Sequence, residues 1–173
     1  MTHLHSQIPL LGFAAASGTG KTTLLTQLLP LLNQAGLRVG LIKHSHHDFE
    51  IDHVGKDSFL LRQAGATPVV LVSQYRRATI EEFSNPIEPK LIDQIALFNA
   101  ADIDVILVEG FRNEAFAKIE LHRANLHKPL LYLNDAHVIA VATDTLLTTD
   151  LPQLNLNQPA DIADFILHTF LKL

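Results

Sequence analysis

The most constraining stretch of this chain is residues 15–22, Ala-Ala-Ser-Gly-Thr-Gly-Lys-Thr, set between the apolar run Leu-Leu-Gly-Phe-Ala-Ala and a segment with leucines at 24, 25, 28 and 29. Leucines at that spacing fall on one face of a helix, whereas an unbroken apolar run of this length suits a strand buried on both sides. The two glycines between them accept backbone conformations closed to other residues. The expected unit is strand, tight loop, helix, and it matches G-x-x-x-x-G-K-[ST] at every defined position but the first, where Ala15 stands for glycine. That position has to be small rather than conformationally special, so alanine is expected to be tolerated.

The chemistry of such a loop follows from its geometry. Gly18 and Gly20 let successive backbone N–H groups point inward and form a concave cradle for phosphate oxygens, at the positive end of the following helix. Ser17, Gly18, Thr19, Gly20, Lys21, Thr22 and Thr23 are therefore the expected nucleotide-binding residues. Lys21 reaches the β- and γ-phosphates as the catalytic cation, and the Thr22 hydroxyl ligates magnesium. A glycine turn that binds nothing is the bland alternative; the strand before it and the amphipathic helix after it favour phosphate.

The rest of the chain repeats the alternation of short apolar runs with amphipathic ones. Strands are expected at 9–15, 38–43, 68–73, 104–109, 129–133 and 138–143, and helices at 21–34, 54–64, 90–100 and 159–171. Ile162, Phe165, Ile166 and Phe170 share one face of the last helix, and Pro30 should kink or end the first. The pattern gives an α/β fold of three layers around a mostly parallel central sheet, the P-loop NTPase arrangement, as a single domain over 1–173. The two-proline stretch 82–90 reads as an exposed connection.

Composition narrows the function classes. With 13 Lys plus Arg against 18 Asp plus Glu, the net charge of −5 offers no broad basic footprint for nucleic acid. The absence of cysteine removes disulfides, thiolate metal sites and a Cys nucleophile, and fits a reducing cytoplasm. No window approaches the roughly 18 apolar residues of a membrane span, and the N-terminal run lacks the basic flank of a signal peptide. A soluble cytoplasmic protein is expected.

Three further segments carry candidate chemistry. The run 104–109 ends in Glu109-Gly110, where a carboxylate at a strand end would hold magnesium and glycine would let the chain turn past the γ-phosphate; Arg112 follows within reach of an anion. The segment 43–53, Lys-His-Ser-His-His-Asp-Phe-Glu-Ile-Asp-His, reads as a phosphate-sensing or ligand-binding loop, with His44, His46, His47 and Asp48 as its candidates. A solvated loop and a transition-metal site are the alternatives. Arg62, in a predicted helix, and Arg76-Arg77, after a predicted strand, are possible anion contacts, the pair being expected at the ligand-gathering edge of the sheet.

Taken in order, Ser17–Thr23 with Leu24-Leu25, the strand 39–43 with His44 and its His/Asp run, Gly55-Lys56-Asp57-Ser58 with Arg62, and Val108-Glu109-Gly110-Phe111 resemble the molybdopterin-guanine dinucleotide biosynthesis protein B (MobB) family over most of the chain. The resemblance implies a GTP- and Mg2+-binding protein with weak GTPase activity. It also implies an accessory role, as a homodimer, beside a molybdopterin guanylyltransferase (MobA-like) that attaches GMP to molybdopterin, with molybdopterin itself a possible ligand. Carried over by residue, 17–23 would bind phosphates and magnesium, Asp48 would lie in a catalytic, switch-like loop, and Glu109 would sit at the magnesium. The chain lacks N-K-x-D, whose Asp accepts both guanine donors; Asn134-Asp135 and Thr143-Asp144 are the two possible substitutes. A small-molecule kinase or ATP-dependent ligase on the same loop is the competing reading, and a phosphopterin carrier is a third.

Overall fold

The run Leu-Leu-Gly-Phe-Ala-Ala forms β1 (Leu10–Ala15) in the computed structural model, which describes residues 6–45 and 47–173. The chain divides into two compact units, one made of Met1–His44 and Lys90–Leu173, the other of Ser45–Pro89.

In the first unit β1 is followed by α1 (Lys21–Gln34) and β2 (Val39–Lys43). In the second unit lie α2 (Asp57–Gln63), β3 (Val69–Val72) and β4 (Arg77–Ile80). The first unit resumes with α3 (Leu91–Ile95), β5 (Val105–Glu109), β6 (Lys118–His122), β7 (Val138–Thr143), β8 (Gln153–Asn155) and α4 (Pro159–Asp164), the last continued by π-helical turns over Phe165–Phe170. Its six strands form one sheet in the order β2-β5-β1-β6-β7-β8, every neighbouring pair parallel. Parallel pairing requires crossovers, and these place helices on both faces.

One face carries Leu11 and Phe13 of β1 and Ile119 and Leu121 of β6 against Leu24, Leu28 and Leu32 of α1 and Ile162, Phe165 and Ile166 of the C-terminal helix. The other carries Leu10, Ile42, Ile106 and Val108 against Leu91 and Ile95 of α3. The two clusters make the three layers expected of the sequence. Leu28 and Leu32 are fully buried, each worth roughly 1.5–3 kcal/mol of transfer free energy. That packing explains why α1 runs past Pro30 to Gln34 instead of stopping there: the proline is on the exposed side of a helix whose opposite face is anchored.

Several expectations are corrected. The run 129–133 is a loop, because the N–H groups of Leu131 and Tyr132, which a strand would give to a neighbour, go to the Glu120 carboxylate at 2.8 Å each. The strand in its place is β6, with Lys118 and Glu120 buried at alternate positions. Lys118 is satisfied by Glu114 O at 2.7 Å and Asp135 at 2.9 Å. Helix α3 stops well short of residue 100: the Asn99 side chain accepts from Ala101 N–H and donates to Asp102, local bonds that compete with the helical ones. Helix α2 is likewise shorter than 54–64. Residues 68–73 supply β3, but β3 pairs antiparallel with β4 in a separate two-stranded sheet of the second unit and is largely exposed. Among the described residues no helix is long and apolar enough to cross a membrane.

Candidate functional site

Parallel strands present all their carboxyl ends at one edge, and the strand order reverses around β1, which sits between β5 and β6. A crevice at that point is where ligands of open α/β sheets bind. The loop 16–20 leaves β1 there. Gly18 and Gly20 have φ of 82° and 95°, the left-handed conformations that alanine would resist, and Gly20 caps α1, whose first bond runs from Leu24 N to Gly20 O at 2.9 Å. Thr19 is buried and its hydroxyl donates to Ala16 O at 2.8 Å, so this side chain fixes the turn rather than facing a ligand. Ser17, Gly18, Thr22 and Thr23 are exposed and Lys21 half-buried around the start of α1.

Glu109 ends β5, directly beside β1, and its carboxylate lies 3.5 Å from Lys21 Nζ and 3.6 Å from Lys43 Nζ at the end of β2. The chain then turns through Gly110 at φ 101°, where a Cβ would come within 2.6 Å of His44 Cβ, so only glycine fits. His44 N donates to Glu109 O at 2.8 Å, and its ring stacks on Phe111 at 4.6 Å. His44 thus belongs to the strand-end cluster with Lys21, Lys43 and Glu109.

The other loop candidates lie in the second unit, and His46 lies outside the described residues. Ser45 closes a local turn, its hydroxyl donating to His47 O and accepting from His47 N. The Asp48 carboxylate accepts from Phe49 N at 2.9 Å. Among the described residues no three His, Asp or Glu side chains converge as a metal set. Arg62 is buried among carboxylates: it bonds Asp52 at 2.8 Å and Glu82, with Glu50 at 3.9 Å. Its hydrogen bond to the Asp52 carboxyl holds that group below its ordinary value, and the three carboxylates neutralise a charge that the sequence offered as an anion contact. Arg76 and Arg77 are exposed at the turn and first residue of the β3–β4 hairpin, so the argument from the edge of the parallel sheet does not reach them. Arg112 is exposed two residues past Gly110, in the first unit.

Arg123, which sequence reasoning missed, holds three parts of this edge together. It follows β6 directly; its Nε donates to Thr19 O at 2.9 Å, and Nη1 reaches Asn157 at 3.2 Å and Asp144 at 3.5 Å. It therefore braces the glycine loop against the ends of β7 and β8. Recognising 118–122 as a strand would have exposed it, since its successor at the carboxyl edge is where a functional cation belongs.

The two substitutes for the missing base-reading motif are now separable. Asp135 precedes β7, at the opposite end of the sheet, and is committed to Lys118 and to His137 N–H at 2.9 Å. Burial pushes its carboxyl up, but those hydrogen bonds outweigh it and the net displacement is downward. Asp144 follows β7 at the same edge as the phosphate loop, and takes Ala124 N–H at 3.0 Å on one oxygen. Each carboxylate oxygen accepts twice, so acceptor capacity remains.

The family model described as Molybdopterin guanine dinucleotide synthesis protein B matches residues 10–144. The chain is 46% identical over 168 residues to the molybdopterin-guanine dinucleotide biosynthesis adapter protein of Escherichia coli, covering 96% of each. To the adapter protein of the same name from Haemophilus influenzae it is 43% identical, covering 96% of this chain and 94% of that one. The fold is similar to a crystal structure of molybdopterin-guanine biosynthesis protein B, with TM-score 0.71 and 26% identity over 95% of this chain and 99% of that one. Bacillus subtilis MobB superimposes with TM-score 0.70 over 92% and 95%, at 20% identity.

Proposed function

As a member of the molybdopterin guanine dinucleotide synthesis protein B family, this chain is an adaptor of molybdopterin-guanine dinucleotide biosynthesis, and we propose that it works by holding magnesium-GTP for a partner molybdopterin guanylyltransferase. The observation that carries the nucleotide half is the pairing of Lys21 with Glu109 across the switch point of the sheet. A loop lysine and a strand-end carboxylate brought together beside an open glycine cradle are the parts a triphosphate and its cation require.

The residues present fit magnesium. Nothing lies within 4 Å of where a Cβ would stand on Gly18, so the loop is open there, and the exposed Thr22 hydroxyl and a Glu109 oxygen would supply the hard-oxygen ligands this ion takes. Bound there, magnesium would neutralise phosphate charge. With nucleotide bound, Lys21 would face phosphate oxygens, and Glu109 would be available to hold the cation or its waters. Arg123 occupies the loop carbonyl of Thr19, which would leave the loop's N–H groups to face the phosphates. Asp144 reads guanine by accepting N1–H and N2–H, which adenine cannot offer. Hydrolysis is expected to be slow in this reading: Arg123 is bound to Thr19, Asn157 and Asp144 rather than free to meet a γ-phosphate, and Arg112 is assigned to the neighbouring cavity described below.

The adaptor acts as a homodimer. Among the described residues, eleven of the seventeen exposed large hydrophobics fall in 45–89, including Val70, Val72 and Tyr75 of the β3–β4 hairpin. An exposed two-stranded edge of that composition favours pairing with another chain.

The test is co-purification of the guanylyltransferase from the same cell on tagged chain, with and without a non-hydrolysable GTP analogue. Retention that depends on the analogue is expected. Absence of the transferase under both conditions contradicts the adaptor half.

A further inference from the structure

At the carboxyl edge of the sheet, beside the glycine loop, lies a cavity of about 330 Å³ that shares Ser17, Thr19 and Arg123 with the nucleotide reading but is otherwise lined by residues outside it. Its placement follows from strand alternation: Ile119 and Leu121 of β6 point into the core under α1, so Lys118, Glu120 and His122 point to the other face. The cavity is walled there by Glu120 and His122, by the loop after β6, and by the outer side of Ala16 and Ser17. Of the residues that cradle phosphate in the reading above, Ser17 and Thr19 line it, whereas Gly18, Gly20, Lys21 and Thr22 do not.

Its electrostatics are one-sided. Arg112, Arg123 and Lys128 line it, with His122 between them. The lining carboxylate, Glu120, is buried and has an oxygen on each of two backbone N–H groups, Leu131 and Tyr132. Among the described residues Arg112 and Lys128 make no ion pair, whereas Lys118, Arg38 and Arg62 are all paired. The apolar part of the lining is Leu126, Pro129 and Leu131 beyond β6, with the nearly buried Leu121 at the strand end. Unpaired cations beside an apolar lining suit an anion carried on an organic body, and the volume is at the small-ligand end of binding cavities.

We propose that this cavity is a second ligand site, for a phosphate monoester of a small ring compound, held next to the triphosphate with Ser17 and the Thr19–Arg123 contact as the shared wall. The inference rests on the nucleotide reading for its biological sense, since an adaptor of this pathway would then hold a phosphopterin and GTP side by side. Its physical basis is the cavity alone. Arg112 and Lys128 take the phosphate, and the leucines take the ring.

The experiment is equilibrium titration of the full chain with a pterin monophosphate, with inorganic phosphate, and with a non-hydrolysable GTP analogue in magnesium. It uses wild type, Lys128→Glu, the double variant His122→Ala/Lys128→Ala, and Lys21→Ala. Pterin monophosphate should bind wild type, weaken at least about tenfold in both Lys128 variants, and survive in Lys21→Ala. The analogue should behave in the opposite way. Absence of pterin phosphate binding to wild type, equal binding to the Lys128 variants, or loss of both ligands together in those variants would overturn the second site. Inorganic phosphate binding as tightly as the ester would overturn the assignment of an organic body. Pterin binding in a chain that ignores the GTP analogue would leave this site standing and remove the nucleotide reading instead.

Discussion

Lys21 Nζ stands 3.5 Å from Glu109 Oε1, while the other oxygen of the same carboxylate is 3.6 Å from Lys43 Nζ. One acidic side chain at the end of β5 therefore holds the lysines that follow β1 and end β2, in the order the sheet brings these strands together. In the proposed function the carboxylate keeps the loop lysine in place before nucleotide arrives and holds magnesium afterwards.

Glu109→Gln separates these two duties. The amide keeps the shape but loses the charge that attracts a hard cation. Magnesium should then enhance binding of a GTP analogue far less, with the magnesium requirement shifted by roughly 10- to 100-fold, the usual scale for altered metal support. Titrating magnesium at fixed analogue concentration reads this directly, and an unchanged midpoint excludes Glu109 from the cation site.

Asp144→Asn tests base reading. An asparagine can accept N1–H through its oxygen and donate through its amide to the 2-oxo group of xanthine, but cannot take both guanine donors. GTP affinity should fall by on the order of 100-fold while xanthosine triphosphate gains. Equal loss of both nucleotides would place the effect in the loop that Asp144 supports through Ala124.

Acid stability should report on Asp104, which joins the start of β5 to Arg38 before β2. The hydrogen bonds from Arg38 hold the Asp104 carboxyl down at about 2. A depressed carboxyl contributes stability that is complete above its unfolded value near 4 and is lost as pH falls through the folded one. Asp104→Asn should therefore lower Tm at pH 7, and the gap from wild type should close between pH 4 and pH 2. Melting curves across that range check it; a gap that persists at pH 2 contradicts the ion pair as its source.

Asp135→Asn should be costly at neutral pH. It strips the charge partner from Lys118, which is 1% exposed; breaking a fully buried pair from one side costs roughly 3–5 kcal/mol, and with Asp135 a quarter exposed and Glu114 O still bonded to Lys118 the loss should fall at or below the low end of that range. Lys118→Met with Asp135→Leu removes both charges and should recover most of that loss. Urea unfolding of wild type and these two variants decides the matter, and a single variant no less stable than the double would show that the pair is not carrying the buried charge.

How far the sequence discloses this molecule depends on where its charges go. β1, β2, β5 and β7 are legible because their buried faces are filled by uncharged residues, and Glu109 is legible because it ends such a run. β6 is not, because Lys118 and Glu120 occupy buried positions that only tertiary partners make tenable, Asp135 for one and the N–H groups of Leu131 and Tyr132 for the other. The same bonds turn the apolar run 129–133 into a loop. Missing β6 hid Arg123 and the cavity behind it. The segment 68–73 is apolar enough for a buried strand but stays exposed in a hairpin, a pairing that periodicity alone does not distinguish.

The central claim is that the loop of residues 15–22 binds GTP through Lys21. Calorimetric titration of wild type and Lys21→Ala with non-hydrolysable GTP and ATP analogues, each in magnesium, tests it most directly. The account predicts selective binding of the GTP analogue by wild type and its loss, by at least about 100-fold, in the variant. Preference for the ATP analogue, or equal binding of the GTP analogue to both proteins, would contradict it.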